Sequence, residues 1–143
     1  APPSKNTASG LALGKSSDNS PAECWYTNMK ILDAISKTFG ASFCAFLQPV
    51  AGIGAHTLTD HESKVLQEYC QERLPFDYKK AMLEFYTEAQ TKASYSSGLV
   101  IDLVDIFSEH EKVYADVRHP NGVGNRIIAD HIFDHLKPLL DQE

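Results

Sequence analysis

The chain has 143 residues of which 43% are hydrophobic, enough for one domain with its own core and too few to expect two. A formal charge of −6 and a pI of about 5.4 argue against a nucleic-acid surface, which draws on clustered Lys and Arg. No apolar run approaches the length of a membrane span, and the first residues lack the basic-then-apolar order of a signal peptide.

Residues 1–20 are Pro, Ser, Gly, Asn and Lys with only Leu11 and Leu13 as sizeable apolar side chains. Such a segment cannot offset the entropy of ordering by burial, and it reads as a linker or arm. The chain opens as if in the middle of a longer polypeptide, so the compartment stays open. The domain is expected over 21–143. Ser20-Pro21-Ala22-Glu23 places a capping serine, a first-turn proline and a glutamate at the capping-box position, which predicts a helix start. Trp25, Met29, Leu32 and Ile35 or Ser36 recur at helical spacing, and Gly40 suits a left-handed cap. The short apolar run Ala41 to Leu47, stopped by Gln48-Pro49, predicts a strand covered on both faces and hence a parallel sheet.

After a loop holding Gly52 and Gly54, Thr59-Asp-His-Glu62 repeats the capping-box pattern and predicts a second helix to about Arg73. Leu74-Pro75 interrupts it. Tyr78, Met82, Phe85 or Tyr86 and Ala89 then mark a third helical segment to about Ala93. Gly98 to Val104 is a second buried-strand candidate, and a last helix runs from Asn121 or Gly122 to about Leu140 with Ile128, Ile132, Leu136 and Leu139 inward. Helix, strand, helices, strand, loop, helix is the order of an open α/β sheet. Cys24, Cys44 and Cys70 have no metal-like spacing and read as buried thiols.

Between the second strand and the last helix, Asp116 stands three residues before His119 in an irregular segment. In open parallel sheets catalytic residues gather in such loops beyond the carboxyl ends of the strands. A carboxylate at this spacing can fold back onto the ring, fix one nitrogen as N–H and leave the other as a base, the arrangement that serine hydrolysis uses. The bland alternative makes Asp116 a turn cap and His119 a surface residue.

Asp116-Val-Arg-His119-Pro-Asn-Gly122-Val-Gly-Asn125-Arg-Ile-Ile-Ala129, after Asp105-Ile-Phe107, resembles the C-terminal block of the SGNH, or GDSL-type, esterase and lipase family. Asn28 to Leu32, Phe46 to Pro49 and Leu58 to Glu62 are also similar to the later half of some members, so the resemblance spans about Pro21 to Leu140. It implies the C-terminal part of a flavodoxin-like three-layer α/β fold, with a short parallel sheet and flanking helices. It also implies His119 as general base and Asp116 as its orienting carboxylate, acting on small acyl or acetyl esters without metal or organic cofactor. The family's Gly-Asp-Ser nucleophile block and oxyanion-hole blocks are missing. Gly14-Lys-Ser16-Ser17-Asp18-Asn19 has the right residue types in the wrong order and reads as linker. The chain is therefore expected to be the C-terminal half of a hydrolase, inactive alone, that binds a missing N-terminal half or self-associates through an exposed sheet edge. The competing class is a non-catalytic α/β binding or assembly module.

Weaker candidates complete the reading. His131 and His135, one helical turn apart beside Asp130 and Asp134, have zinc-compatible spacing but suit a helix surface better. His110 is expected in solvent. His56 and His61 could line a cleft on the sheet edge of His119, with helix capping equally suited to His61. Tyr78, Phe85, Tyr86 and Tyr95 are expected to pack a helix on the sheet, with substrate lining as the lesser alternative, and Arg118 and Arg126 to lie in solvent, with anion binding near the start of the last helix as the alternative.

Overall fold

The structure, a computed structural model, describes residues 19–72 and 77–141. The expected arm lies outside the described residues except for its last two, and Ser16, Ser17 and Asp18 lie outside them too. The described elements are α1 (Pro21–Thr38), β1 (Ala45–Leu47), α2 (Asp60–Glu72), α3 (Tyr78–Ser94), β2 (Val100–Asp102) and α4 (Gly122–Leu140). β1 and β2 pair in parallel, Ala45 with Val100, Phe46 with Ile101 and Leu47 with Asp102, so the chain is a small α/β unit. Among the described residues no helix is long and apolar enough to cross a membrane.

Local chemistry accounts for the boundaries. Ser20 is extended and its Oγ accepts the Glu23 N–H at 3.0 Å, while Pro21 opens the first turn without needing a partner for an N–H. The reciprocal half of the expected capping box is not made. The Glu23 carboxylate instead meets the Lys92 ammonium of α3, which also lies 3.3 Å from Glu88, so the box residue serves to tie two helices together. Gly40 takes φ +70 as its capping role requires.

The two-residue period of a strand sorts the sheet into faces. Ala45, Leu47 and Val100 join a core with Ala22, Trp25 and Met29 of α1 and with Met82, Tyr86, Ala89 and Ala93 of α3. Phe46 points the other way and meets His135 of α4 edge-on at 6.0 Å. A second cluster of Ala51, Phe107, Val113 and Tyr114, flanked by Ile127 and Ile128, fills the space between the strand-end loops and α4.

Several expectations need correction. Strands over 41–47 and 98–104 shrink to three residues each, because one ladder gives the flanking residues no pairing partner; Phe46 and Ile101 are only half-buried and Asp102 is exposed. The core contacts of α1 stop at Met29, leaving Leu32 43% and Ile35 50% exposed beside Ile31 and Phe39. Tyr95 is 82% exposed and packs nothing, since Ser94 ends α3 just before it. Cys24 is exposed and Cys44 and Cys70 are half-buried, with none in a disulfide. The Leu139 side chain lies outside the described set.

Candidate functional site

The segment between β2 and α4 folds into a tight turn centred on Asp116. Tyr114 and Pro120 form an antiparallel bridge across its base, and the Ala115 N–H donates to the His119 carbonyl at 2.8 Å. Asp116 Oδ1 accepts the backbone N–H of Arg118 at 2.8 Å and of His119 at 2.9 Å. These bonds are what a short acidic side chain does when it nucleates a turn on its own backbone. Val117, 1% exposed, anchors the turn, and its carbonyl accepts the Ala51 N–H from the loop after β1.

The turn brings the predicted pair together. His119 Nδ1 lies 2.9 Å from Oδ1 and 2.8 Å from Oδ2 of Asp116. Burial is the largest influence on Asp116 and pushes its pKa up, but the Arg118 and His119 N–H groups and the ring together outweigh it and hold the carboxyl below its ordinary value. An ionised carboxylate only accepts, so the contact assigns the proton of a neutral ring to Nδ1 and leaves Nε2 with its lone pair. Nε2 has no hydrogen-bond partner among the described residues. The pair is open to water: the side chains of His119 and Asp116 are 76% and 50% exposed.

Two cavities flank this turn. A cleft of about 450 Å³ is walled by Trp25, Phe46, Met82 and Phe85, with Gln48 and Arg118 among its polar lining. Arg118 is exposed, as expected, and its guanidinium lies over the rings of Tyr69 at 5.7 Å and Tyr78 at 5.4 Å. On the other side, Thr59, His61, Lys112, Tyr114 and Asn121 border a cavity of about 500 Å³.

His56 is a correction. It is buried rather than open to a cleft, its Nδ1 donating to the Phe107 carbonyl at 3.1 Å and its Nε2 3.5 Å from Glu62 Oε2. His61 is exposed and does not cap α2. That role falls to Thr59, whose Oγ accepts the Glu62 N–H at 3.3 Å while Glu62 Oε2 accepts the Thr59 N–H at 2.9 Å. His110 and Arg126 are exposed. His131 donates Nδ1–H to the Ile127 carbonyl of its own helix, and among the described residues no three His, Cys, Asp or Glu side chains converge as a metal site would need.

Glu62 was legible as a cap and not as a core carboxylate. Burial, the largest influence, pushes its pKa up, but the bonds from the Thr59 and Tyr114 N–H groups and the Thr59 hydroxyl outweigh it and hold the group below its ordinary value. A pKa lowered by folding means stability that is complete above the unfolded value and lost as pH falls through the folded one. We therefore expect urea-unfolding free energy to decline on acidification through the ordinary glutamate range, and Glu62→Gln to flatten that decline relative to the parent chain.

Searches of protein-family models, curated proteins and solved structures found no match to this chain.

Proposed function

We propose that the chain carries the general-base half of an SGNH-type serine ester hydrolase, in a fold that is the C-terminal part of a flavodoxin-like three-layer α/β domain. One observation carries this reading: the Asp116 carboxylate holds His119 Nδ1 at 2.8 Å and leaves Nε2 open, in the loop that follows a parallel strand. In this reading Nε2 takes the proton of a serine hydroxyl as its oxygen attacks the ester carbonyl. Asp116 stabilises the imidazolium that forms, and His119 returns the proton to the departing alcohol. Water then cleaves the acyl-serine by the same exchange.

The serine and the oxyanion donors come from a polypeptide segment other than the described residues. The exposure of the pair supports this division, because a base–carboxylate pair reaches full electrostatic strength only when a covering surface excludes water. The apolar wall of Trp25, Phe46, Met82 and Phe85 suits the acyl group of a small ester. The exposed stripe Ile31, Ile35 and Phe39, with the unpaired strand edges, is where the complementary half or a second copy docks. That stripe equally favours the second reading, a non-catalytic binding or assembly module.

The test joins this chain in one polypeptide to a segment bearing a Gly-Asp-Ser nucleophile and follows hydrolysis of p-nitrophenyl acetate. Turnover is expected only in the joined form. A folded joined protein that hydrolyses no activated ester overturns the hydrolase reading.

A further inference from the structure

We infer that Glu62, through its bond to the Tyr114 N–H, is the positioning residue of the Asp116–His119 turn. Only the turn's part in catalysis rests on the hydrolase reading; the positioning itself is a property of the chain. Glu62 is 4% exposed, and its two oxygens face different segments. Oε2 accepts the N–H of Thr59 at 2.9 Å and its hydroxyl at 2.8 Å, which closes the helix cap. Oε1 accepts the backbone N–H of Tyr114 at 3.0 Å, fifty-two residues further along.

Capping alone does not need the second oxygen, nor does it need burial. A carboxylate taken out of water incurs a desolvation penalty that only well-made bonds to its oxygens offset, and an apolar side chain would fill the same space without that penalty. What a bonded buried carboxylate supplies is register: a fixed point that only one arrangement of the surrounding chain satisfies. Here the fixed point is the first residue of the dyad turn. Tyr114 pairs with Pro120 across the base of that turn, and Asp116 and His119 sit between them.

His56 packs beside this junction. A carbonyl only accepts, so Nδ1 of His56 carries the proton it gives to Phe107, and Nε2 lies 3.5 Å from Glu62 Oε2 with no hydrogen bond among the described residues. The His56 ring also lies edge-on to Tyr114 at 5.4 Å and to Phe107 at 6.2 Å. The loop after β1, the start of α2 and the loop after β2 thus meet at one carboxylate, and the base and its orienting acid hang from that junction.

The experiment reads the His119 ring directly, without substrate, by two-bond 1H–15N NMR of the six histidines at about two pH units above the ordinary imidazole value of about 6.5. The parent chain is expected to show His119 as the Nδ1–H form. Glu62→Gln has one acceptor oxygen in place of two and is expected to shift the ring toward the Nε2–H form that free imidazole side chains favour. Thr59→Ala, which weakens the same cap and leaves the Tyr114 bond, is expected to leave the ring as in the parent. A folded Glu62→Gln chain with His119 unchanged overturns the inference, as does a Thr59→Ala chain that shifts equally. No variant is needed for a second reading: the Tyr114 amide is expected to exchange at least about 100-fold more slowly than an open amide, and an unprotected Tyr114 also overturns it. Loss of the esterase reading leaves these signatures standing, so the two failures are distinguishable.

Discussion

Under the proposed mechanism, His119→Ala is expected to lower kcat/KM for p-nitrophenyl acetate by about 10⁴-fold or more in a polypeptide that joins this chain to a Gly-Asp-Ser segment. It is expected to leave the melting temperature within about 2 °C of the parent. The two expectations have separate physical origins. The ring is 76% exposed, and an exposed ion pair contributes about 1 kcal/mol at most. The turn does not depend on the ring either, because Asp116 Oδ1 still accepts the backbone N–H of residues 118 and 119 and Tyr114 still pairs with Pro120. Under the proposed mechanism the reaction loses the group that would take the serine proton, so chemistry is expected to fail while folding holds. Asp116→Asn should separate the two roles further. The amide can no longer serve as a charged acceptor for Nδ1–H, so activity falls, and the turn weakens as well because its two backbone donors lose an ionised partner. A His119→Ala protein that keeps comparable turnover would leave the pair a structural turn and favour the binding-module reading.

How far the sequence reveals this site depends on the range of the forces involved. The Asp116–His119 contact was legible because it is local: three residues, one turn, and a side chain that bonds its own backbone. The starts of α1 and α4 were legible for the same reason, as caps are decided within four residues, with Ser20 holding Glu23 and Asn121 holding Val123 and Gly124. The Thr59–Glu62 cap belongs to that class, yet its second oxygen does not. No periodicity says that Oε1 of Glu62 will meet Tyr114, or that His56 will lie behind it, because those contacts are made by tertiary packing. Strand length was over-read for a related reason. Apolar runs measure how much chain wants burial, while a ladder extends only as far as a neighbouring strand exists, and among the described residues each strand has one. The exposed half of α1 follows from the same shortage of partners, with Ile31, Ile35 and Phe39 at helical spacing and nothing packed on them among the core clusters.

Gly124→Ala is expected to destabilise the chain by about 2–3 kcal/mol, a fall in melting temperature of about 10 °C, although alanine is the better helix former. In a solvent-facing helix the exchange would gain about 1 kcal/mol from propensity. Gly124 is not in that setting. A methyl there would stand 2.5 Å from the Val113 carbonyl oxygen, 2.8 Å from Pro120 Cβ and 3.3 Å from Phe107 Cζ. None of the three can yield cheaply. The Val113 carbonyl accepts the Asn121 N–H at 2.8 Å, and Asn121 caps α4 through Val123 and Gly124, so moving the carbonyl loosens the helix start. Phe107 is fully buried, and Pro120 closes the dyad turn against Tyr114. Relief therefore comes from shifting the first turn of α4 away from the segment that carries Asp116 and His119. Activity of the joined protein should fall along with stability, with the larger effect on kcat. Gly122→Ala is the control, since a methyl at that position meets nothing within 4 Å, and it should be neutral or stabilise by up to about 1 kcal/mol. Calorimetry of the two variants decides the matter: equal melting temperatures would mean that α4 does not rest on the Val113 carbonyl, and the close docking of helix on turn that holds the dyad in place would have to be abandoned.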